Sequence, residues 1–206
     1  SRVAAITSTF TQGNLTHVEN PFSVALEGDG FFQIRTESGE LQYTRDGSFE
    51  ISPVANGNML CTSDGNPVLD AYGNQIILPS NRVATDLVVN QDGTLAFPDG
   101  TGNPAVITDA NGRPVKFGIY QFNNPAGLSK EGSNNYSVTV ASGAAVAENG
   151  NAAVKQTKTH QYYTEASNVD VANEMVNLIV AQRAYEMNSK AIQASDEMMQ
   201  QANALR

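Results

Sequence analysis

The chain is 206 residues long, enough for one large or two small domains with a real core. It carries 21 acidic against 12 basic side chains, and its lysines and arginines are dispersed, so no basic patch exists to neutralise phosphates and nucleic-acid binding is excluded. No apolar run of about 18 residues could span a membrane, SRVAAITSTF has no apolar signal-peptide region, and a lone Cys61 forbids an intrachain disulfide.

Residues 1–21 alternate weakly (Val3, Ala5, Thr7, Thr9) and predict an extended, polar connector. From Phe22 the texture changes to short β-type runs, FSVALE, GFFQIR, LQYTRD and SFEI, divided by Gly-containing pairs. Asp-Gly stands at 29–30, 46–47, 64–65, 92–93 and 99–100, and Asn-Gly at 56–57, 111–112 and 149–150. Such pairs supply positive φ at little steric cost and predict turns. Further strands are expected at 76–78, 86–90, 94–97, 105–108, 115–122 and 135–140, with prolines between them or at their edges. Residues 22–160 therefore read as a β-rich body, with room for two sub-domains divided near 79–86. The small-residue stretch 141–154 predicts a loop or extended return strand, and 155–166 one more strand or connector, with 161–169 leading into a helix.

That helix, expected over 170–205, is the long helical signal of the chain. It contains no Pro or Gly and is rich in Ala, Met, Leu, Gln, Glu and Arg. Ser167 is the expected N-cap, with Asp170 three residues on completing a capping-box-like start. On a wheel of ~100° per residue, Val176, Val180, Ala184, Met187, Ala191, Ala194, Met198 and Ala202 form one stripe. Val171, Leu178, Tyr185, Ile192 and Met199 form a second, roughly 100° to 180° away, with Met175 at its edge. Arg183, Glu186, Lys190, Gln193 and Glu197 fill the polar wedge between them. A helix with two separated stripes expects two neighbours. At about 54 Å it is longer than the roughly 35 to 40 Å diameter of a compact body of this size, so an overhang is expected. No other segment reads as a helix that could cover either stripe. The partners are therefore expected to be other chains or a part of the protein outside this sequence.

Nothing in the residues marks a catalytic or metal centre. His17 and His160 stand in polar connectors without a neighbouring nucleophile motif. Asp109-Ala110-Asn111-Gly112 is the nearest fragment of a calcium loop, but it lacks the distal Glu and turn chemistry explains it better. Gly28-Asp29-Gly30 precedes a strand rather than a helix N-terminus, so it is no phosphate loop. Among the 21 acids no glycosidase-like pair is singled out. Phe31, Phe32, Tyr43 and Phe49 read as core. Arg45 and Asp46, a charged pair at a turn, are expected to fix the body against a connector or a neighbour. Arg183 and Glu186 have the spacing to pair within the helix or to reach an adjacent one.

Two long motifs, in this order, carry a resemblance. VENPFSVALEGDGFFQIRTESGELQYTRDGSFEI, with Gly28, Gly30, Phe31, Phe32, Tyr43, Arg45, Asp46, Gly47 and Phe49, and ASNVDVANEMVNLIVAQRAYEMNSKAIQASDEMM, with Asn168 and Arg183, closely resemble the bacterial flagellar basal-body rod and hook family, most of all its distal-rod members. The resemblance covers about 12–205, strongly at both ends and weakly between. It implies a structural subunit rather than an enzyme, without cofactor or metal. Such a subunit would pass the inner membrane through the flagellar type III apparatus without a cleaved signal. It would stack with copies of itself and with other rod and hook subunits into a torque-transmitting axial tube of the basal body. A surrounding ring bushing is left open as a further partner. The β domain is implied to face outward and the terminal helices to form an inner coiled-coil layer. Family members ordinarily open with an amphipathic helix, and none precedes Ser1, so the chain is expected to be truncated. That helix would cover one stripe and neighbouring subunits the other. Proximal-rod or hook membership is the alternative within the family, and a carbohydrate-binding or adhesive β module the alternative outside it.

Overall fold

A computed structural model describes residues 8–99 and 104–204. The alternation at Val3, Ala5 and Thr7, Gly100 of one expected turn, Leu205 and the side chain of Ala202 lie outside the described residues. The described chain is mainly β, with one long C-terminal helix. It forms two compact units, 1–167 and 168–206.

Among the described residues the first unit contains sixteen strands. They are β1 (Leu15–His17), β2 (Val24–Glu27), β3 (Phe31–Arg35), β4 (Leu41–Thr44), β5 (Glu50–Val54), β6 (Gly57–Cys61), β7 (Ile77–Leu78) and β8 (Val88–Val89). There follow β9 (Leu95–Pro98), β10 (Pro104–Val106), β11 (Ile119–Gln121), β12 (Ser129–Gly132), β13 (Asn135–Ser137), β14 (Val146–Ala147), β15 (Lys158–Gln161) and β16 (Tyr163–Glu165). Every strand pairing among the described residues is antiparallel, in keeping with the dense turn signals. The largest sheet has the order β12-β13-β4-β3-β11-β14, and smaller sheets join β5-β6-β7, β10-β9-β8, β2-β15 and β1-β16.

Strand β3 is buried on both faces, and its pleat explains why two consecutive phenylalanines are needed. Phe32 points into the main core with Leu26, Ile34, Phe49, Leu60, Leu95 and Phe117. Phe31 points the other way, into a smaller aromatic cluster with Tyr43, Phe122 and Leu128, against which Phe10 packs. Phe31, Phe32 and Phe49 are each no more than 1% exposed. The main core runs through the stretch 79–86, because Leu78 and Leu87 on either side of it belong to the same cluster.

Several elements differ from the sequence expectation. Of 115–122 only Ile119–Gln121 is strand, while Lys116 and Phe117 make isolated bridges to Thr94 and Asp70. Strand β6 carries no β-type alternation and exists through its register with β5, from Glu50↔Cys61 to Val54↔Gly57. The stretch 141–154 contributes the two-residue strand β14. The two stretches read as connectors meet each other: β1 pairs β16, Leu15↔Glu165 to His17↔Tyr163. The chain reaches β16 from β15 through Tyr162, which sits at φ 64°. That left-handed bend in a bulky residue switches the strand from β2 to β1.

The second unit is α1, Val171–Ala204. Its N-cap is Asp170, not Ser167: Asp170 Oδ1 accepts from the Ala172 backbone N–H at 3.0 Å, and its carbonyl accepts from Glu174 N at 3.0 Å. The carboxylate three residues nearer to the first turn wins because it reaches the open N–H groups and adds charge at the positive helix end.

Candidate assembly interface

The apolar residues of α1 recur with the spacing of a coiled-coil seam. Val176, Val180, Ala184, Met187, Ala191, Ala194 and Met198 follow steps of four and three, the alternation of a coiled-coil seam. Val171, Leu178, Tyr185, Ile192 and Met199 fall one per heptad, a strict repeat that keeps a supercoiled face aligned with a partner. All of these side chains are exposed, Tyr185 at 78%, Ile192 at 63% and Leu178 at 60%. Burying one such large side chain is worth ~1.5 to 3 kcal/mol, so the two faces hold a large unused stabilisation. Arg183 and Glu186 form no ion pair with each other among the described residues, which leaves both charges for contacts beyond the helix. Asn168 is exposed, two residues ahead of the cap.

At the other end of the sequence the motif residues converge on one place. Gly28, at φ 137°, and Gly30, where a Cβ would collide with Ile119 and Thr157, let the backbone turn under the Arg45 side chain. Arg45 Nη1 then donates to the carbonyls of Gly28 at 2.9 Å and Gly30 at 3.2 Å. Its Nε and Nη2 donate to Glu165 Oε2 at 3.1 and 2.9 Å. The guanidinium also lies 5.6 Å from the Phe31 ring centre. Both side chains of this ion pair are only 14% exposed.

The neighbouring motif residues shape the same turn. Asp46 Oδ1 accepts from Ser48 N at 3.0 Å and Oδ2 from Asn134 Nδ2 at 3.3 Å, while the Gly47 carbonyl accepts from Val24 N at 3.0 Å. The Tyr43 hydroxyl accepts from Gln33 Nε2 at 3.3 Å, and burial raises its pKa. Beneath Gly30 lies a buried carboxylate, Glu148, 4% exposed. It accepts from Thr157 N at 2.7 Å, Thr157 Oγ1 at 2.6 Å and Gln121 Nε2 at 2.8 Å. The Thr157 hydroxyl in turn accepts from Gly30 N at 3.1 Å. Every acceptor in this knot is matched by a donor, which is the condition for burying polar groups at low cost.

Glu165, Gln12, Glu148 and Thr157 carry no motif, repeat or periodic signal, and their partners are distant in sequence, so sequence reasoning missed them. The remaining candidates resolve into surface chemistry. His160 Nε2 lies 2.7 Å from Glu27 Oε2, and that hydrogen bond lowers the Glu27 pKa. His17 packs on Tyr162 and Tyr163. Asp109 Oδ1 accepts from the backbone N–H groups of Asn111 and Arg113 at 2.8 and 2.9 Å, and Oδ2 from the Arg113 guanidinium at 2.9 and 2.7 Å. Its carboxylate is a turn element, held down to about pKa 2 by the Arg113 N–H and guanidinium bonds. No group of three or more potential metal ligands exists among the described residues.

Comparison with known families falls on the two parts described above. Residues 25–97 match a family described as the flagellar hook protein FlgE/F/G D1 domain. Residues 160–205 match the C-terminal family of the flagellar basal body rod FlgEFG proteins. The flagellar basal-body rod protein FlgG of Borreliella burgdorferi is 38% identical over 100% of this chain and 72% of its own length. FlgG of Agrobacterium fabrum is 38% identical over 96% of this chain and 69% of its own length. The flagellar hook-basal body complex protein FlhP of Bacillus subtilis is 34% identical over 95% of this chain and 69% of its own length. Arg45 lies in the first matched region and Glu165 in the second.

Proposed function

The chain belongs to the flagellar basal-body rod and hook protein family, and from that premise we propose that it is a distal-rod subunit polymerising with its own copies into the axial tube. It is a structural subunit of the flagellar basal-body rod, and assembles with other rod and hook subunits. In this reading the protein works through repeated contacts that resist shear as the rod turns, with no catalytic step. Export through the flagellar apparatus without a cleaved signal belongs to the same proposal. Identity to FlgG proteins along nearly the whole chain supports the distal position.

The observation that carries the polymer reading is the pair of exposed heptad-spaced faces on α1. A small-residue seam lets helices approach closely, and a heptad seam of large side chains fills the gap to a second neighbour. Ala191→Glu sets a charge in the middle of the small-residue seam, where a partner helix would have to desolvate it. The variant is expected to leave the β body folded by circular dichroism and to be missing from assembled rods. Normal incorporation of Ala191→Glu would remove the role given to that seam.

A further inference from the structure

The two stretches that flank the body in sequence lie side by side in the β1–β16 ribbon. Among the described residues it is a two-stranded sheet of three residue pairs. A two-stranded ribbon of that size is marginal in water, so something else must hold it. The Arg45 site supplies the hold. Glu165 of the C-terminal stretch divides its carboxylate: Oε2 takes both Arg45 donors, and Oε1 accepts from the Gly13 backbone N–H at 2.8 Å. Gln12 of the N-terminal stretch is bound as fully, donating to the Leu26 carbonyl at 2.9 Å and accepting from Gly28 N at 3.0 Å and Arg45 Nη2 at 3.5 Å. The Ala166 N–H then closes the ribbon on the Asn14 carbonyl at 2.9 Å.

We propose that Arg45 is a positioning residue for assembly, a clamp that ties the stretch before the body and the stretch after it to the Gly28–Gly30 turn as one unit, so that both are held or released together. The clamp fixes to the body the end of the first unit, through Glu165 and Ala166. Its geometry stands without any statement about rods, and only its consequence for assembly rests on the rod reading. A lysine cannot substitute. One ammonium group cannot reach Glu165 on one side and two carbonyls on the other, as the planar guanidinium does.

Amide hydrogen exchange on the whole chain tests this. In Arg45→Met the Gly13, Gly28 and Ala166 amides are expected to exchange about ten- to a hundredfold faster together, the loss that goes with hydrogen bonds to a charged group. The amides of Leu60 and Leu69, both buried in the body, should keep their rates. Glu165→Gln should raise the same set, and Arg45→Lys should lie nearer to Arg45→Met than to the wild type. Acceleration confined to one of the two stretches, an equal rise at Leu60 and Leu69, or Arg45→Lys matching the wild type would each overturn the clamp. In cells, the full-length protein carrying Arg45→Met should enter rods less than its wild type, and equal entry would overturn the positioning role. If the wild type itself were absent from rods, the rod reading would fall while the exchange result stood.

Discussion

The β body and the C-terminal helix use apolar side chains in opposite ways. In the body Phe32, Phe49 and Leu95 are fully enclosed and meet other side chains of the same unit. Along α1, Leu178, Ile192 and Met198 are as apolar, and each is about 60% exposed or more. The body buries its apolar surface internally, whereas α1 leaves its apolar pattern exposed; in the proposed rod that pattern would be buried against neighbouring subunits.

Matched substitutions break this comparison if it is wrong. Phe32→Ala deletes a side chain with ring contacts to Phe49 and Phe117 at 5.0 and 5.3 Å, and should cost about 3 to 5 kcal/mol in urea unfolding of the body. Ile192→Ala deletes comparable apolar bulk from an exposed site and should stay within about 0.5 kcal/mol in the same measurement. A large cost at Ile192 in the isolated chain would mean the helix already has its partner.

Smaller effects sharpen the picture at the edges of each unit. Asp170→Ala removes the N-cap bond to Ala172 and should cost about 1 kcal/mol of helix stability, read as lost ellipticity with the body unchanged. The Asp109–Arg113 turn should show a local acid transition. The Asp109 pKa is depressed in the folded chain, so the turn's contribution is fully present above the ordinary carboxylate value of 3.8 and is lost as pH falls towards about 2. Faster exchange of the Gly112 amide over that window, with no change at Leu69, is the expected result; a flat profile would contradict it.

How much of this could be read beforehand depended on whether the cause was local. A Pro- and Gly-free run and recurrent apolar spacing announce α1, while Asp-Gly and Asn-Gly pairs mark the turns that make the body antiparallel. The N-cap, expected at Ser167, falls at Asp170 because several nearby side chains can cap, and which one does so depends on backbone geometry at Asp170. Strand β6, Gly57–Cys61, gave no signal because its pairing with β5 makes it a strand. The Arg45–Glu165 bond spans 120 positions, so no window of sequence contains both partners. The glycines at 28 and 30 read only as a turn, although their carbonyls also receive the guanidinium.

Amide exchange along the whole chain, before and after polymerisation, tests most directly that the helix is completed from outside. The isolated chain should keep its slowest amides in the body, at Leu60 and Leu69, with Val171–Ala204 exchanging far faster. In assembled rods the Leu178, Tyr185 and Ile192 amides should slow to rates like those of the body. Body-like protection of the helix in the monomer, unchanged on assembly, would contradict the account.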